Sequence, residues 1–206
     1  MASEPKTKPR RRTQEERRAT TRAALLNATI DCLVEYGYAN TTTSRVVERA
    51  GVSRGAQVHH FPTKAELVAE AMGYLAQLRA DEVQRALERL PEGRERTLGA
   101  LDLLWKVHTG PLFAASLELW VAARTDRELR EQLLPVEREI NARLLEGAQT
   151  FFGVADDEAL AGRAATALAA IRGLAMAAQL LQPPRQGIDA QWRALREQLA
   201  ELIAAD

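Results

Sequence analysis

The sequence predicts an all-α protein of nine helices in two parts, a small N-terminal three-helix domain and a larger helical body. Three observations predict it. Apolar residues recur at helical spacing through almost the whole chain, and no stretch shows the alternation of a strand. Alanine is abundant while aromatics are only 5% of residues, a composition that favours helix over sheet. The helical runs are punctuated by N-capping Ser, Thr and Asp and by Gly and Pro breakers.

The first run opens at a capping box, Thr13-Gln-Glu-Glu16, and is predicted to reach about Tyr36, with Leu26, Ile30, Leu33 and Val34 on one face and Gly37 as its end. Residues 41–64, TTTSRVVERAGVSRGAQVHHFPTK, are the most informative stretch. Thr43 is read as the N-cap of a short helix, Ser44–Ala50, that Gly51 ends through a left-handed residue. Ser53 caps a second short helix to about His60, which Pro62 stops. Thr63-Lys-Ala-Glu66 is a capping box for a longer helix. Two short helices around a glycine-containing turn make a helix-turn-helix, whose second helix enters the DNA major groove.

Beyond residue 66, a helix carrying Leu67, Ala71, Leu75 and Leu78 should run toward Leu90, where Pro91-Glu-Gly93 breaks it. Arg94–His108 and Leu112–Arg124 follow, separated by Gly110-Pro111. Asp126 caps a long segment to about Phe152, with a kink or split expected at Pro135 and an end at Gly153. An alanine-rich helix is predicted from a cap at Asp156 to about Leu181, then a loop at Pro183-Pro184 and Gly187. Asp189 should cap the last helix, with Trp192, Leu195, Leu199, Leu202 and Ile203 on one stripe. The divisions are a disordered basic arm over 1–12, a DNA-binding domain over 13–66 and an effector-binding and dimerisation domain over 67–206.

Charge supports a nucleic-acid role for one end only. The chain is neutral, with 28 Lys and Arg against 28 Asp and Glu. Residues 1–64 hold twelve of those cations and six of the carboxylates, a surplus of six positive charges that the remainder offsets. The arm, MASEPKTKPRRR, is placed to reach phosphates or a minor groove. A single cysteine, Cys32, excludes an internal disulfide and fits a reducing compartment. No apolar run is read as a membrane span and no leader as a secretion signal, so the expected location is cytoplasmic.

The residues Leu25-Leu26-Asn-Ala-Thr-Ile-Asp-Cys-Leu-Val-Glu-Tyr-Gly37-Tyr38, then Thr42-Thr43, Ala50-Gly51-Val52-Ser53, Gly55 and His60-Phe61-Pro62-Thr-Lys64 resemble the tetracycline-repressor (TetR) family of bacterial transcription regulators. The resemblance covers about residues 13–66; beyond it only helix count and length agree. It implies a two-domain TetR-like homodimer, with three N-terminal helices on DNA and a C-terminal domain that binds a small effector and dimerises through the last two helices. Where the family commonly has Thr, an apolar residue and Tyr after the glycine, this chain has Ala56, Gln57 and Val58.

Candidate DNA contacts follow from recognition-helix geometry. Arg54 suits a bidentate guanine contact, or else a phosphate, and Gln57, if exposed, an adenine. Ser53, Gly55 and Ala56 lie at the same helix start, although Gly55 also reads as structural. Thr43, Ser44 and Arg45 open the preceding helix, where N–H groups and hydroxyls hold phosphate. By resemblance, His59 and His60 lie near the DNA backbone and Lys64 matches a phosphate position. His59 and His60 do not suggest a metal site: adjacent helical residues point about 100° apart, and no further ligand is near. Candidate effector-site residues are Trp105, His108, Phe113, Leu117, Trp120, Phe152 and Met176, each of which is equally well ordinary core. The few charges in 98–121 point to an apolar or weakly polar effector, and no cofactor is expected. The expected function is a ligand-responsive repressor that binds an inverted-repeat operator as a dimer. The alternatives are a constitutive DNA-binding regulator without effector and, more remotely, an enzyme, for which no catalytic motif is present.

Overall fold

The computed structural model describes residues 13–152, 158–180 and 186–204. Among them are nine helices and no strand: α1 Gln14–Asn40, α2 Thr43–Ala50, α3 Arg54–His60, α4 Lys64–Leu87, α5 Arg94–His108, α6 Pro111–Ala123, α7 Arg127–Phe152, α8 Glu158–Leu180 and α9 Gln186–Ala204. The basic arm over 1–12, the expected stop at Gly153, the expected cap at Asp156 and the Pro183-Pro184 loop lie outside the described residues.

Local chemistry sets most boundaries. The first capping box is complete: Thr13 Oγ1 accepts the Glu16 N–H at 3.1 Å, and Glu16 Oε2 accepts the Thr13 N–H at 2.8 Å. Instead of ending near Tyr36, α1 resumes after Gly37 and continues to Asn40. Gly37 sits at φ 71°, ψ 172°, a region open essentially only to glycine, so it re-aims the last turn rather than ending the helix. The cap of α2 is Thr42, one residue before the expected Thr43. The Thr42 backbone is extended and its Oγ1 accepts the Arg45 N–H, while Thr43 is already helical. Gly51, at φ 64°, ends α2 as expected, and Ser53 caps α3. Pro111 opens α6 at N1, where its missing N–H costs nothing.

Two boundaries differ further along: of the kink or split expected at Pro135 the split does not occur, and the cap expected at Asp189 lies elsewhere. The α7 helix runs unsplit through Pro135, with Leu129 and Leu133 buried on either side of one turn against α4 and α6. That packing outweighs the one backbone hydrogen bond the proline removes. Asp126 does cap α7, accepting the Leu129 N–H at 3.0 Å. The last helix starts at Gln186, so Asp189 lies inside its first turn rather than at its cap, where the carboxylate still favours the helix dipole.

Three cores hold the fold. The first joins α1, α2 and α4 through Leu25, Leu26, Cys32, Val46, Leu67 and Ala71, with Phe61 wedged from the end of α3. The second joins Leu33 of α1 to Val68 and Met72 of α4, Leu119 of α6, and Leu129 and Leu133 of α7. The third packs α5, α8 and α9 through Leu101, Ile171, Trp192 and Leu199. Helix α4 therefore serves two cores with two faces: Leu67 and Ala71 face the helix-turn-helix, Val68 and Met72 the body. A division drawn between residues 66 and 67 falls inside this helix.

The stretch Glu158–Gln179 in α8 is long and apolar enough to cross a membrane, which the sequence reading did not register. One of its stripes, Leu160, Ala167 and Ile171, is buried in the third core, and only 22% of its apolar window is covered within the subunit. The uncovered side carries Gly162, Ala165, Ala169, Gly173 and the 54%-exposed Met176.

Candidate nucleic-acid interface and effector region

The second and third helices present a surface whose two sides are chemically distinct. On α3, Arg54, Gly55, Val58 and His59 are exposed, while Gln57 and the following Phe61 are buried. Ser53 Oγ accepts the Ala56 N–H at 3.2 Å, which fixes the helix start. Gln57 is 2% exposed, and its Nε2 donates to the Phe61 carbonyl at 2.5 Å. The condition on which an adenine contact rested is thus not met: residues 57 and 61, one turn apart, form the core-facing stripe, and the amide is used to satisfy a buried carbonyl. We expect Gln57→Ala to cost about 1–3 kcal/mol of stability by orphaning that carbonyl. Base preference should be unchanged, and urea melts beside binding to a selected DNA pool check both.

At the start of α2, Ser44 and Arg45 are exposed and Thr43 is partly so. Arg45 folds back: Nη1 donates to the Asn40 carbonyl at 2.6 Å, and the guanidinium lies 4.8 Å from the Tyr36 ring centre. Arg49 covers the same ring and pairs with Glu35. His60 is partly buried, and burial, then His59, Arg18 and Arg22, lower its pKa. Arg18, exposed on α1, thus belongs to the positive surface beside α3, a residue the sequence reading did not single out.

Lys64 does not face outward. Its Nζ donates to the Tyr38 carbonyl at 2.8 Å and sits 3.9 Å from the Tyr38 ring centre. Burial lowers its pKa, opposed by Asp126. That carbonyl also accepts the Thr41 N–H at 3.3 Å, and the ammonium is held within the fold rather than presented to phosphate. Around it lies a polar joint between the two ends of the molecule. Glu118 of α6 accepts the Tyr38 N–H at 2.6 Å, and the Tyr38 hydroxyl lies 3.3 Å from Asp126 Oδ2. Burial, then Asp126, push the Tyr38 pKa up to about 12. A Cβ on Gly37 would stand 2.5 Å from Glu118 Oε2. Gly37→Ala should therefore destabilise the protein by roughly 1–3 kcal/mol from backbone strain alone. The companion Glu118→Gln, which keeps the shape, should lose less; thermal melts of both check the order.

The expected effector residues divide. Trp105 stacks on Trp192 of α9, ring centres 4.6 Å apart and planes 6° from parallel, so it belongs to the third core. Asp102 anchors that pair, accepting from Trp192 Nε1 at 3.1 Å and from Arg196 Nη1 at 2.8 Å. Met176 is on the outer face of α8 and Leu117 is partly buried. The Phe152 side chain lies outside the described residues.

His108, Phe113 and Trp120 do come together. His108 is 4% exposed; its ring meets Phe113 edge-on at 5.1 Å, and Phe113 meets Trp120 edge-on at 5.8 Å. Arg172 of α8 enters this cluster. Its Nε donates to His108 Nε2 at 3.3 Å, its Nη2 to Asn141 Oδ1 of α7 at 2.9 Å, and its guanidinium lies 5.8 Å from the Trp120 ring. His108 Nδ1 is 2.8 Å from the Leu104 carbonyl, which fits a neutral imidazole with its proton on Nδ1 and its Nε2 lone pair facing Arg172. Burial lowers the His108 pKa, with Arg172 adding to the effect and the Leu104 bond opposing it.

The helix-turn-helix region matches the model for bacterial regulatory proteins of the tetR family over residues 25–71. An HTH-type transcriptional regulator of Mycobacterium tuberculosis, itself uncharacterised, is 34% identical over 142 residues, spanning 69% of this chain and 73% of the relative. The chain belongs to the TetR family. It is a DNA-binding transcriptional regulator. The HTH-type transcriptional repressor AcnR of Corynebacterium diphtheriae is 30% identical over 62% of this chain and 63% of its own length. A crystal structure of a transcriptional regulator from Streptomyces coelicolor A3(2), 23% identical, superposes with a TM-score of 0.69 over 90% of this chain and 99% of that one, an agreement of fold.

Within this TetR-family chain, sequence reading missed Thr42, Val58, Arg172 and Asn141. Val58 had a signal, because the 57–61 stripe turns position 58 outward. Arg172 had none: an arginine in an alanine-rich helix reads as solvated until the neighbouring helices are in place.

Proposed function

We propose that the chain is a ligand-responsive repressor that grips an inverted-repeat operator as a homodimer. The 13–66 region would contact DNA, and the helices beyond it would sense the ligand and pair the subunits. The observation that carries the reading is the two-sided α3, locked by Gln57 and Phe61 on one side and offering Arg54, Val58 and His59 on the other. Arg54 would read guanine, Ser44, Arg45 and Arg18 would hold phosphates, and Ser53, Gly55 and Ala56 would let the backbone approach closely. The uncovered small-residue face of α8 suits close packing against its copy, with Met176 filling the gap at one end.

Release would pass through α6. Trp120 touches the His108–Arg172 cluster, and Glu118, two residues away on the same helix, holds the Tyr38 N–H beside the Gly37 turn. A ligand that shifts α6 would thus alter the spacing of the two recognition helices through the joint. The protein would act in the cytoplasm, where the chromosome is, and bind its ligand without turning it over.

The test is a fluorescence-anisotropy titration of labelled DNA from upstream of its own gene beside random DNA, at several salt concentrations. Tight binding to the first, weakening with salt, supports the reading. Equal affinity for that DNA, for sequences selected from a random pool and for random DNA would overturn it.

A further inference from the structure

We propose that the effector is an organic carboxylate with an apolar body, and that Arg172, His108, Asn141 and Trp120 receive its charged head. This rests on the ligand-responsive reading and adds its chemistry. Four helices meet at the cluster: α5 brings His108, α6 Phe113 and Trp120, α7 Asn141 and α8 Arg172. Their polar groups are unbalanced in a particular way. Arg172 carries five N–H donors, and its two described hydrogen bonds go to neutral acceptors, the His108 nitrogen and the Asn141 amide oxygen. Among the described residues, no carboxylate lies within ion-pair distance of it.

A partly buried guanidinium is ordinarily paired, because desolvating a charge without a counter-charge is costly. Four other arginines that reach across to a neighbouring helix end on a carboxylate: Arg22 on Glu70, Arg49 on Glu35, Arg94 on Glu197 and Arg196 on Asp102. Arg172, like the exposed Arg45 on the Asn40 carbonyl, ends on neutral acceptors, but unlike Arg45 it is partly buried. The second observation is independent. Trp120 Nε1 is buried without a hydrogen-bond partner, on the same indole that the guanidinium faces. Two sets of uncommitted donors, with Glu137 of α7 near enough to act on Arg172 electrostatically but not paired with it, describe a receptor for an anion.

The neutral His108 sharpens the selection. With its Nδ1 proton committed to Leu104, it takes the Arg172 Nε–H while Asn141 takes one Nη2 hydrogen, so the Nη1 hydrogens and the second Nη2 hydrogen remain for a planar two-oxygen acceptor. A carboxylate fits that fork. The edge-on rings of Phe113 and Trp120 supply an apolar wall, which makes an aromatic or branched aliphatic body a better match than a highly hydroxylated one. The expectation of an apolar or weakly polar ligand is thereby amended at one end of the molecule: apolar body, anionic head.

The experiment uses the full chain and isothermal titration calorimetry with benzoate, phenylacetate and octanoate, each beside its primary amide. The proposal predicts that at least one acid binds and that its amide binds at least tenfold more weakly. Arg172→Gln should abolish the difference between acid and amide, and Arg172→Lys should keep part of it. Trp120→Phe, which keeps an aromatic ring but removes the indole N–H donor with its five-membered ring, should weaken the acid several-fold and the amide less. Thermal melts without ligand show whether Arg172→Gln folds; if it does not, the Trp120→Phe comparison decides. Equal binding of acids and amides, binding unchanged in the folded variants, or no binding by any acid overturns the carboxylate assignment.

An operator-binding arm separates the two levels of the claim. Acid binding that leaves operator affinity unchanged would keep the anion site and overturn the effector reading. Release of operator by amides alone would keep the effector reading and overturn the anion site.

Discussion

Phe61→Ala should destabilise the protein by about 3–5 kcal/mol, the usual cost of truncating a buried phenylalanine. Phe61 is 1% exposed and fills the centre of the first core against α1, α2 and α4. Its ring lies 5.4 Å beneath the Arg22 guanidinium, and its N–H closes α3 on the Gln57 carbonyl at 2.7 Å. A cavity there cannot be filled locally, because the neighbours belong to short or capped helices whose positions the ring itself sets. Truncation should loosen α3 as well as lower the midpoint, since one residue does both jobs. Urea unfolding followed by circular dichroism measures it. A loss under about 1 kcal/mol would mean that α3 is anchored by something other than this ring.

Arg54→Ala should weaken operator binding by roughly 5- to 150-fold per half-site, the value of a bidentate guanine contact of about 1–3 kcal/mol. Affinity for random DNA should fall far less. The informative companion is Arg54→Lys, which keeps the charge but loses the planar fork. If Arg54 reads a base, Lys restores random-DNA affinity and not discrimination. If it holds a phosphate, Lys restores both. Competition binding against the operator and against the operator with one base pair changed separates these cases.

Much of this molecule was legible because its local signals agree with each other. Thr13, Ser53 and Thr63 sit where their side-chain oxygens meet free N–H groups, and Gly51 takes the left-handed conformation its position demands. Those signals are short-range, so a single sequence carries them. The differences have one local cause and two tertiary ones. Thr43 was read as the cap of α2, and backbone geometry chose its neighbour Thr42. The Pro135 helix stayed unsplit because tertiary packing outweighed one lost hydrogen bond. Gly37 was read as a stop, yet Thr41 and the Glu118 carboxylate, eighty residues on, stabilise a turn beyond it.

The candidate sites show the same division. The exposed face of α3 follows from periodicity once one buried position is known; Arg54, named from its place at the recognition-helix start, and His59, named by resemblance, both lie on it. Lys64 was placed on DNA by resemblance, but its ammonium is taken up by the Tyr38 carbonyl. In the body, the candidates came from the aromatic-rich middle helices, and three of them, His108, Phe113 and Trp120, do cluster. Their polar partners come from α7 and α8, dozens of residues away, and no sequence pattern joins Asn141 and Arg172 to them.

The most direct test of the account is selection of binding sites from random double-stranded DNA with the full chain, followed by alignment of the enriched sequences. The account predicts a two-fold symmetric inverted repeat whose half-sites lie about one helical turn apart and contain a guanine that Arg54→Ala ceases to require. Enrichment of a single unrepeated motif, or no enrichment over random sequence, would contradict it.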